Sequence, residues 1–330
     1  MTLESPVQDL LTKMRAGMQT QSPSVDDVPA MRAALSALID WGRPVAGVSI
    51  TDAIISGAPV RLYRPQTPGP HPLHVWLHGG AFMLGSAMSG EYDEMLTQRA
   101  LNAGCLVASV EYRLAPEHRF PAGVEDCYRV LRDLVAGAPE FGIDTRAVTV
   151  GGGSSGGNFA AVLALMARDR GEPRIDLQLL EVAGTDLTKS SASWRNPRPE
   201  HDTTRERDLA LIDLYLSSVA ERAHPYASPI FAADLSGVAP AYVMNAEFDP
   251  RRDGCEAYVT RLRDAGVPAI AAFMSGHIHG SMILRDWEPA REWRAQADTV
   301  LATANRAACA GWPVLAAFTA EPTTTPQSHL

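Results

Sequence analysis

Gly152-Gly153-Ser154-Ser155-Gly156 reads G-x-S-x-G and follows the strand-like run Ala147-Val148-Thr149-Val150. A strand that ends in a glycine-flanked serine and passes straight into a helix is a nucleophile elbow. The turn strains the serine backbone and pushes its hydroxyl clear of the sheet. Only small side chains fit so tight a bend, and every residue from Gly151 to Gly157 is Gly or Ser. The stretch 158–170 is expected to be the following helix, with its N-terminal N–H groups and positive dipole end aimed at the serine. Gly151, Gly153 and Gly156 also satisfy G-x-G-x-x-G, the mark of a phosphate loop. No Asp or Glu on a second strand follows about 20 residues later, as a dinucleotide site requires.

A serine nucleophile needs a base and a cage of N–H donors for the oxyanion. Further along the chain, the strand expected at 241–246 runs into Glu247-Phe248-Asp249-Pro250. The strand expected at 269–274 runs into Ser275-Gly276-His277-Ile278-His279-Gly280. Both loops stand at carboxyl ends of strands, where open α/β sheets place their sites. The order Ser, acid, His is that of an α/β-hydrolase. Asp249 is read as the acid, ahead of Glu247 and Asp253, and His279 as the base, ahead of His277, because Gly280 permits close backbone approach. His78-Gly79-Gly80-Ala81-Phe82, after the strand expected at 73–77, supplies the other half of an oxyanion hole. Its members are read as Gly79, Gly80, Ala81 and Ser155.

Outward from the elbow, strands are expected at 47–56, 60–64, 73–77, 105–111, 147–150, 177–182, 241–246 and 269–274, the first two as a hairpin across Gly57-Ala58-Pro59. Helices are expected at 92–103, 122–136, 158–170, 207–220, 253–265 and 288–308. Strands alternating with helices imply a mostly parallel sheet covered on both faces. Two amphipathic helices precede the first strand. One carries Val7, Leu10, Leu11, Met14 and Met18 on one face; the other runs over 29–41. Together with a polar insertion after the sixth strand they are assigned to a lid. The expected organisation is lid helices over 1–45, core over 46–188, lid insertion over 189–225, core over 226–310 and a partly disordered tail over 311–330.

Composition narrows the function. The net charge is −9 and no basic block occurs, so nucleic acid is not an expected partner. No stretch approaches the length of a membrane span and residues 1–20 hold no leader-like apolar core, so the chain reads as a cytoplasmic protein without a membrane span. Cys105, Cys127, Cys255 and Cys309 are far apart, without metal spacing, and read as small buried hydrophobes. No metal site and no cofactor is expected. Trp41, Phe82 and Trp194 are candidates to line a substrate pocket. Arg195, Arg198, Arg205 and Arg207 lie among Glu200, Asp202, Glu206 and Asp208. They read first as a self-paired lid surface and second as a site for an anionic substrate.

These residues together resemble the hormone-sensitive-lipase-like branch of the α/β-hydrolases, the bacterial family IV carboxylesterases. The resemblance rests on His78-Gly79-Gly80-Ala81-Phe82, on Glu111-Tyr112-Arg113-Leu114-Ala115-Pro116-Glu117-His118 continuing through Phe120-Pro121-Ala122 to Asp126, on the elbow, on Asp249-Pro250-Arg251-Arg252-Asp253 and on His279-Gly280. It implies an eight-stranded sheet with a helical lid, a Ser154–His279–Asp249 triad and an oxyanion hole at Gly79, Gly80 and Ser155. In two places the chain departs from the pattern. Ala81 stands where the family usually has a third glycine, and Gly153 and Ser155 replace the usual Asp and Ala beside the nucleophile. The expected function is hydrolysis of small-molecule esters with short to medium acyl groups through an acyl-enzyme on Ser154. An acyl transferase, lyase or cyclase reusing the pocket is the alternative. A homodimer is left open.

Overall fold

The computed structural model describes residues 3–16, 22–37 and 42–319. Helices α1 (Ser5–Ala16) and α2 (Val28–Ala37) precede a hairpin of β1 (Val48–Ile55) and β2 (Ala58–Pro65). Then follow β3 (His71–Leu77), α3 (Asp93–Ala103), β4 (Leu106–Val110), α4 (Ala122–Ala136), the single turn α5 (Ala138–Phe141), β5 (Ile143–Gly153) and α6 (Ser155–Arg170). The second half holds β6 (Leu177–Glu181), α7 (Ala192–Arg195), α8 (Arg205–Tyr215), β7 (Ala241–Phe248), α9 (Arg252–Asp264), β8 (Ala269–Ile278), α10 (Glu288–Cys309) and α11 (Ala316–Thr319). The eight strands form one sheet in the order β1-β2-β4-β3-β5-β6-β7-β8. β1–β2 and β2–β4 pair antiparallel; every other neighbouring pair is parallel.

Alternation along the central strands builds two cores. Leu73, Val75 and Leu77 of β3 and Leu106, Ala108 and Val110 of β4 face α4 and α6 on one side, whereas Trp76 and Val107 face α3 and α10 on the other. Strands covered on both faces carry unbroken apolar runs, as β4 does. Where two helices cover a sheet, each fully buried Leu or Val contributes roughly 1.5–3 kcal/mol.

Several boundaries move from where the sequence puts them. The hairpin turns at Ser56-Gly57, both at positive φ (52° and 80°), so Ala58 and Pro59 already belong to β2. Positive φ at both positions is the type I′ pattern that matches the sheet twist, and proline cannot adopt it. The helix expected at 207–220 starts earlier, with the Thr204 hydroxyl accepting from the Arg207 N–H, and ends at Tyr215. Ser217 and Ser218 instead donate their N–H groups to Glu221, a local alternative to helix. β8 runs to Ile278, so Ser275, Gly276 and His277 are strand rather than loop. Residues 311–319 are not free: Val314 and Leu315 are buried against the α10 side of the sheet. Met18, Trp41 and residues 320–330 lie outside the described residues.

α1 is seated by Val7, Leu10 and Leu11, which pack on Phe248, Ile278 and Trp287. Its Arg15 donates to the His201 carbonyl, tying it to the segment after β6 (2.8 Å). α2 is tied to the loop after β3 by Arg32, which donates to the Met83 carbonyl and pairs with Glu117. α1, α2 and α8 thereby line one cavity together with the elbow.

Candidate active site

Ser154 sits between β5 and α6 at φ 56° and ψ −117°, a conformation costly for a residue with a side chain. The turn is held from beneath. The Ser154 N–H donates to the Glu181 carbonyl (2.9 Å) and its own carbonyl accepts from the Asn158 N–H (3.0 Å). Gly152 and Gly156 cannot carry a side chain: a Cβ there would stand 2.4 and 2.0 Å from the Leu77 carbonyl oxygen. Glu181 is in turn clamped, accepting from Arg99 Nη1 and Trp293 Nε1 at 2.8 Å each. Arg99 also meets Asp298 at 3.2 Å.

His279 follows the end of β8 and meets both partners. Its Nε2 lies 2.9 Å from Ser154 Oγ, and its Nδ1 lies 2.7 Å from Asp249 Oδ2. An ionised carboxylate can only accept, so Nδ1 carries the proton and Nε2 is free to accept from the serine hydroxyl. Burial works to raise the pKa of the Asp249 carboxyl, but His279 and Arg251 outweigh it and hold it below the usual carboxylate range. Its other oxygen, Oδ1, accepts from the Arg251 N–H (2.8 Å).

The rivals are committed elsewhere. His277 is buried between Trp287 and Trp293, with Nδ1 2.8 Å from Ser281 Oγ. Burial pushes its pKa down to about 4. Glu247 accepts from the Gly276 N–H, and Asp253 from the Ser193 N–H.

The loop after β3 turns sharply beside the serine. Gly80, Ala81 and Phe82 all have positive φ (129°, 53° and 68°), and the Gly80 carbonyl is turned back to accept from the Met83 and Leu84 N–H groups. The Gly79 Cβ position is 3.3 Å from Ser154 Cβ. Ser155 opens α6, so its N–H precedes any helical acceptor and lies at the positive end of the dipole. His78 and Tyr112 brace the loop: their rings stack at 4.2 Å, and the Tyr112 hydroxyl donates to the His78 carbonyl (2.7 Å). Arg113 holds Asp126 through Nε (2.7 Å) and Nη2 (2.9 Å), and the same stretch meets the loop where the Ala115 N–H donates to the Phe82 carbonyl (3.0 Å).

Two cavities meet at Ser154. The larger, about 240 Å³, is lined by His279, Gly153, Trp76, Met282 and Leu35, with Lys13 and Arg207 also on its wall. The smaller, about 30 Å³, is lined by Ser154, Ser155, Phe82, Leu187, Leu211 and Ile212, with Lys189 and Arg251 behind, and does not include His279. Gly153 leaves room where a side chain would otherwise stand, since a Cβ there meets only Met282 Cε, at 3.5 Å.

The pocket candidates fare differently. Phe82 lines the smaller cavity and stacks on Tyr215 at 4.0 Å. Trp194 lines neither cavity; its indole lies beneath Lys189 and Arg251, 4.8 and 5.3 Å from their charges. Trp41 is outside the described residues. Of the four clustered arginines only Arg207 lines the larger cavity, while Arg195 and Arg198 are exposed. Asp202 and Asp208 pair with Arg251 across the fold, with Arg207 also close to both. Glu181, Arg99, Arg251 and Lys189 were not legible as site residues, because each finds its partner through tertiary folding. Cys105, Cys127 and Cys255 are buried as expected, but Cys309 is only partly so.

Residues 74–283 match the family described as the alpha/beta hydrolase fold. This chain belongs to that family. Within it, the hormone-sensitive-lipase-like branch read from the motifs stands. The chain is similar to the carboxylic ester hydrolase LipN of Mycobacterium tuberculosis, with 37% identity over 78% of this chain and 71% of the relative. It is also similar to an arylesterase of Saccharolobus solfataricus, with 35% identity over 67% and 72%. In structure it is similar to a hyperthermophilic esterase from the archaeon Pyrobaculum calidifontis, with a TM-score of 0.82, 36% identity and coverage of 92% of this chain and 98% of the other. No helix among the described residues is long and apolar enough to cross a membrane.

Proposed function

We propose that this chain is a serine carboxylesterase that cleaves short-acyl esters of bulky, largely apolar alcohols through an acyl-enzyme on Ser154. The reading is carried by one observation: Ser154 Oγ, the His279 ring and Asp249 are linked at 2.9 and 2.7 Å at the meeting point of two unequal cavities. His279 takes the serine proton as Oγ attacks the ester carbonyl. N–H groups of Gly79, Gly80, Ala81 and Ser155 receive the oxyanion, and His279 Nε2 returns the proton to the leaving alkoxide. Water, deprotonated by the same His279, then attacks the acyl-enzyme and releases the acid.

The proton must reach the alcohol oxygen from His279, so the leaving group lies on the side His279 lines, in the larger cavity. The acyl chain lies in the smaller one, whose narrow space between Phe82, Leu187, Leu211 and Ile212 favours short acyl groups over long ones. Residues 1–45 and 189–225 act as the lid, since α1, α2 and α8 wall the larger cavity. A cytoplasmic location belongs to the same reading.

The test is a series of aryl esters from acetate to octanoate, with and without an alcohol acceptor. Turnover should fall steeply beyond propionate, with a burst of aryl alcohol and no gain from the acceptor. Ile212→Ala and Leu187→Ala should move the optimum to longer chains. Ser154→Ala should abolish fluorophosphonate labelling and cut turnover by several orders of magnitude. Labelling that survives in Ser154→Ala refutes the nucleophile. A flat chain-length profile refutes the acyl assignment.

A further inference from the structure

Behind the triad acid lies a buried charge cluster that joins the core to the lid insertion. Arg251 Nη1 is 3.3 Å from Asp249 Oδ1 and 3.3 Å from Asp202 Oδ1, and Nη2 is 2.8 Å from Asp208 Oδ1. Lys189 Nζ is 2.8 Å from Asp208 Oδ2. Asp249 and Arg251 come from the loop after β7, whereas Lys189, Asp202 and Asp208 come from the segment between β6 and the end of α8. The Trp194 indole closes one side, and no member's side chain is more than 11% exposed.

A cluster this dry is costly to assemble, and replacing such groups by apolar ones is often neutral for stability, so stability alone does not account for it. Its charge count supplies a reason. In direct contact are three carboxylates, Asp202, Asp208 and Asp249, and two fixed cations, Arg251 and Lys189. The contacting groups alone are one negative charge in excess, which favours the positive charge His279 gains with the Ser154 proton. The other charged and titratable groups facing it are Arg207, which is close to Asp202, Asp208 and Asp27, His201 and Cys255 near Asp249, and the exposed Arg198 beside His201. Arg207 lies nearer Asp208 and Asp202 than Asp27 and offsets part of that excess, while Asp27 is partly exposed and screened by solvent.

Resting on the triad reading above, we infer that Arg251 is a positioning residue through which the seated lid insertion holds Asp249 and balances the charge that His279 acquires. The lid then does more than wall the pocket: its Asp202 and Asp208 set how readily the base accepts a proton. A lid lifted away would leave Arg251 beside the acid without its counter-ions and weaken the base.

The test is the pH profile of kcat/KM for aryl acetate, whose acid limb reports protonation of the base in the free enzyme. Asp208→Asn removes a negative charge near His279, favours the neutral ring and should move the acid limb down by about half to one pH unit. Arg251→Met removes a positive charge and should move it up by a similar amount, while Arg251→Lys should leave it near the parent value. The double variant Arg251→Met with Asp208→Asn should lie between the singles. A merely structural role would lower kcat without shifting the limb in opposite directions, and that result overturns the inference. Should Arg251→Met fail to fold, Asp208→Asn and Arg251→Lys decide: an unmoved limb in Asp208→Asn overturns it. Fluorophosphonate labelling measured in each variant separates the outcomes. Labelling with unmoved limbs rejects this coupling and keeps the triad, whereas labelling that survives in Ser154→Ala rejects the triad itself.

Discussion

Replacing Ser154 by glycine should leave the protein more stable than replacing it by alanine, although alanine is ordinarily the better residue. Both changes delete the hydroxyl and its contact with His279 at 2.9 Å, so that loss cancels in the comparison. What differs is the backbone. Ser154 is held at φ 56° and ψ −117° by its N–H bond to the Glu181 carbonyl and by the Asn158 N–H on its own carbonyl, and alanine inherits that conformation with its Cβ. Strain of this kind costs about 1–3 kcal/mol. Glycine is free of it but loses roughly 0.5–1 kcal/mol more conformational entropy on folding. The difference favours Ser154→Gly by about 1 kcal/mol and at most about 2.5 kcal/mol. In urea, with a slope of about 2–3 kcal/mol/M, that is a midpoint higher by roughly 0.4 M. The melting temperature should rise only about 1–2 °C, because a chain this long has a large unfolding entropy. Urea titration followed by tryptophan fluorescence is therefore the better assay. Equal slopes with Ser154→Ala as stable as Ser154→Gly, or more so, would refute the claim that the elbow stores strain at the serine.

Two further outcomes are expected. Gly153→Val should project into the larger cavity towards Met282, raising KM for esters of bulky alcohols while sparing ethyl acetate; equal effects on both would contradict the assignment of that cavity to the leaving group. The folded protein holds His277 neutral down to about 4, whereas the unfolded chain takes up its proton near 6.5. Between those values the unfolded state binds more protons, so stability falls as the pH drops from 6.5 to 4. His277→Phe should reduce that slope by about one proton in urea titrations over this window, and an unchanged slope would show that other groups carry the acid sensitivity.

Much of the scaffold was legible because its signals are local. The elbow needs small residues at fixed offsets from Ser154, and strand and helix alternate in period and in turn chemistry, so eight strands and the Ser, acid, His order could be read along the chain. Boundaries failed where the deciding contact was not local. β8 extends through His277 because Ile278 pairs with Phe248 of β7, and the hairpin turn shifts because its twist must match the sheet. The sequence could rank His279 above His277 through the neighbouring glycine and the family resemblance. The fold separates them by burying one between two indoles and turning the other towards Ser154.

By itself the sequence determined the class of fold and singled out Ser154 with a short list of candidate partners, since backbone sterics and hydrophobic periodicity act within a few residues. Tertiary structure alone decided what surrounds them. Arg251 meets Asp208 across 43 positions of sequence and Glu181 meets Arg99 across 82, and no spacing rule connects residues so distant. The sizes of the two cavities are likewise a property of packed surfaces, set by α1, α2 and α8 closing over the strand ends. Local chemistry marks where a reaction can occur, and the long-range packing of charge and volume decides which ester it admits.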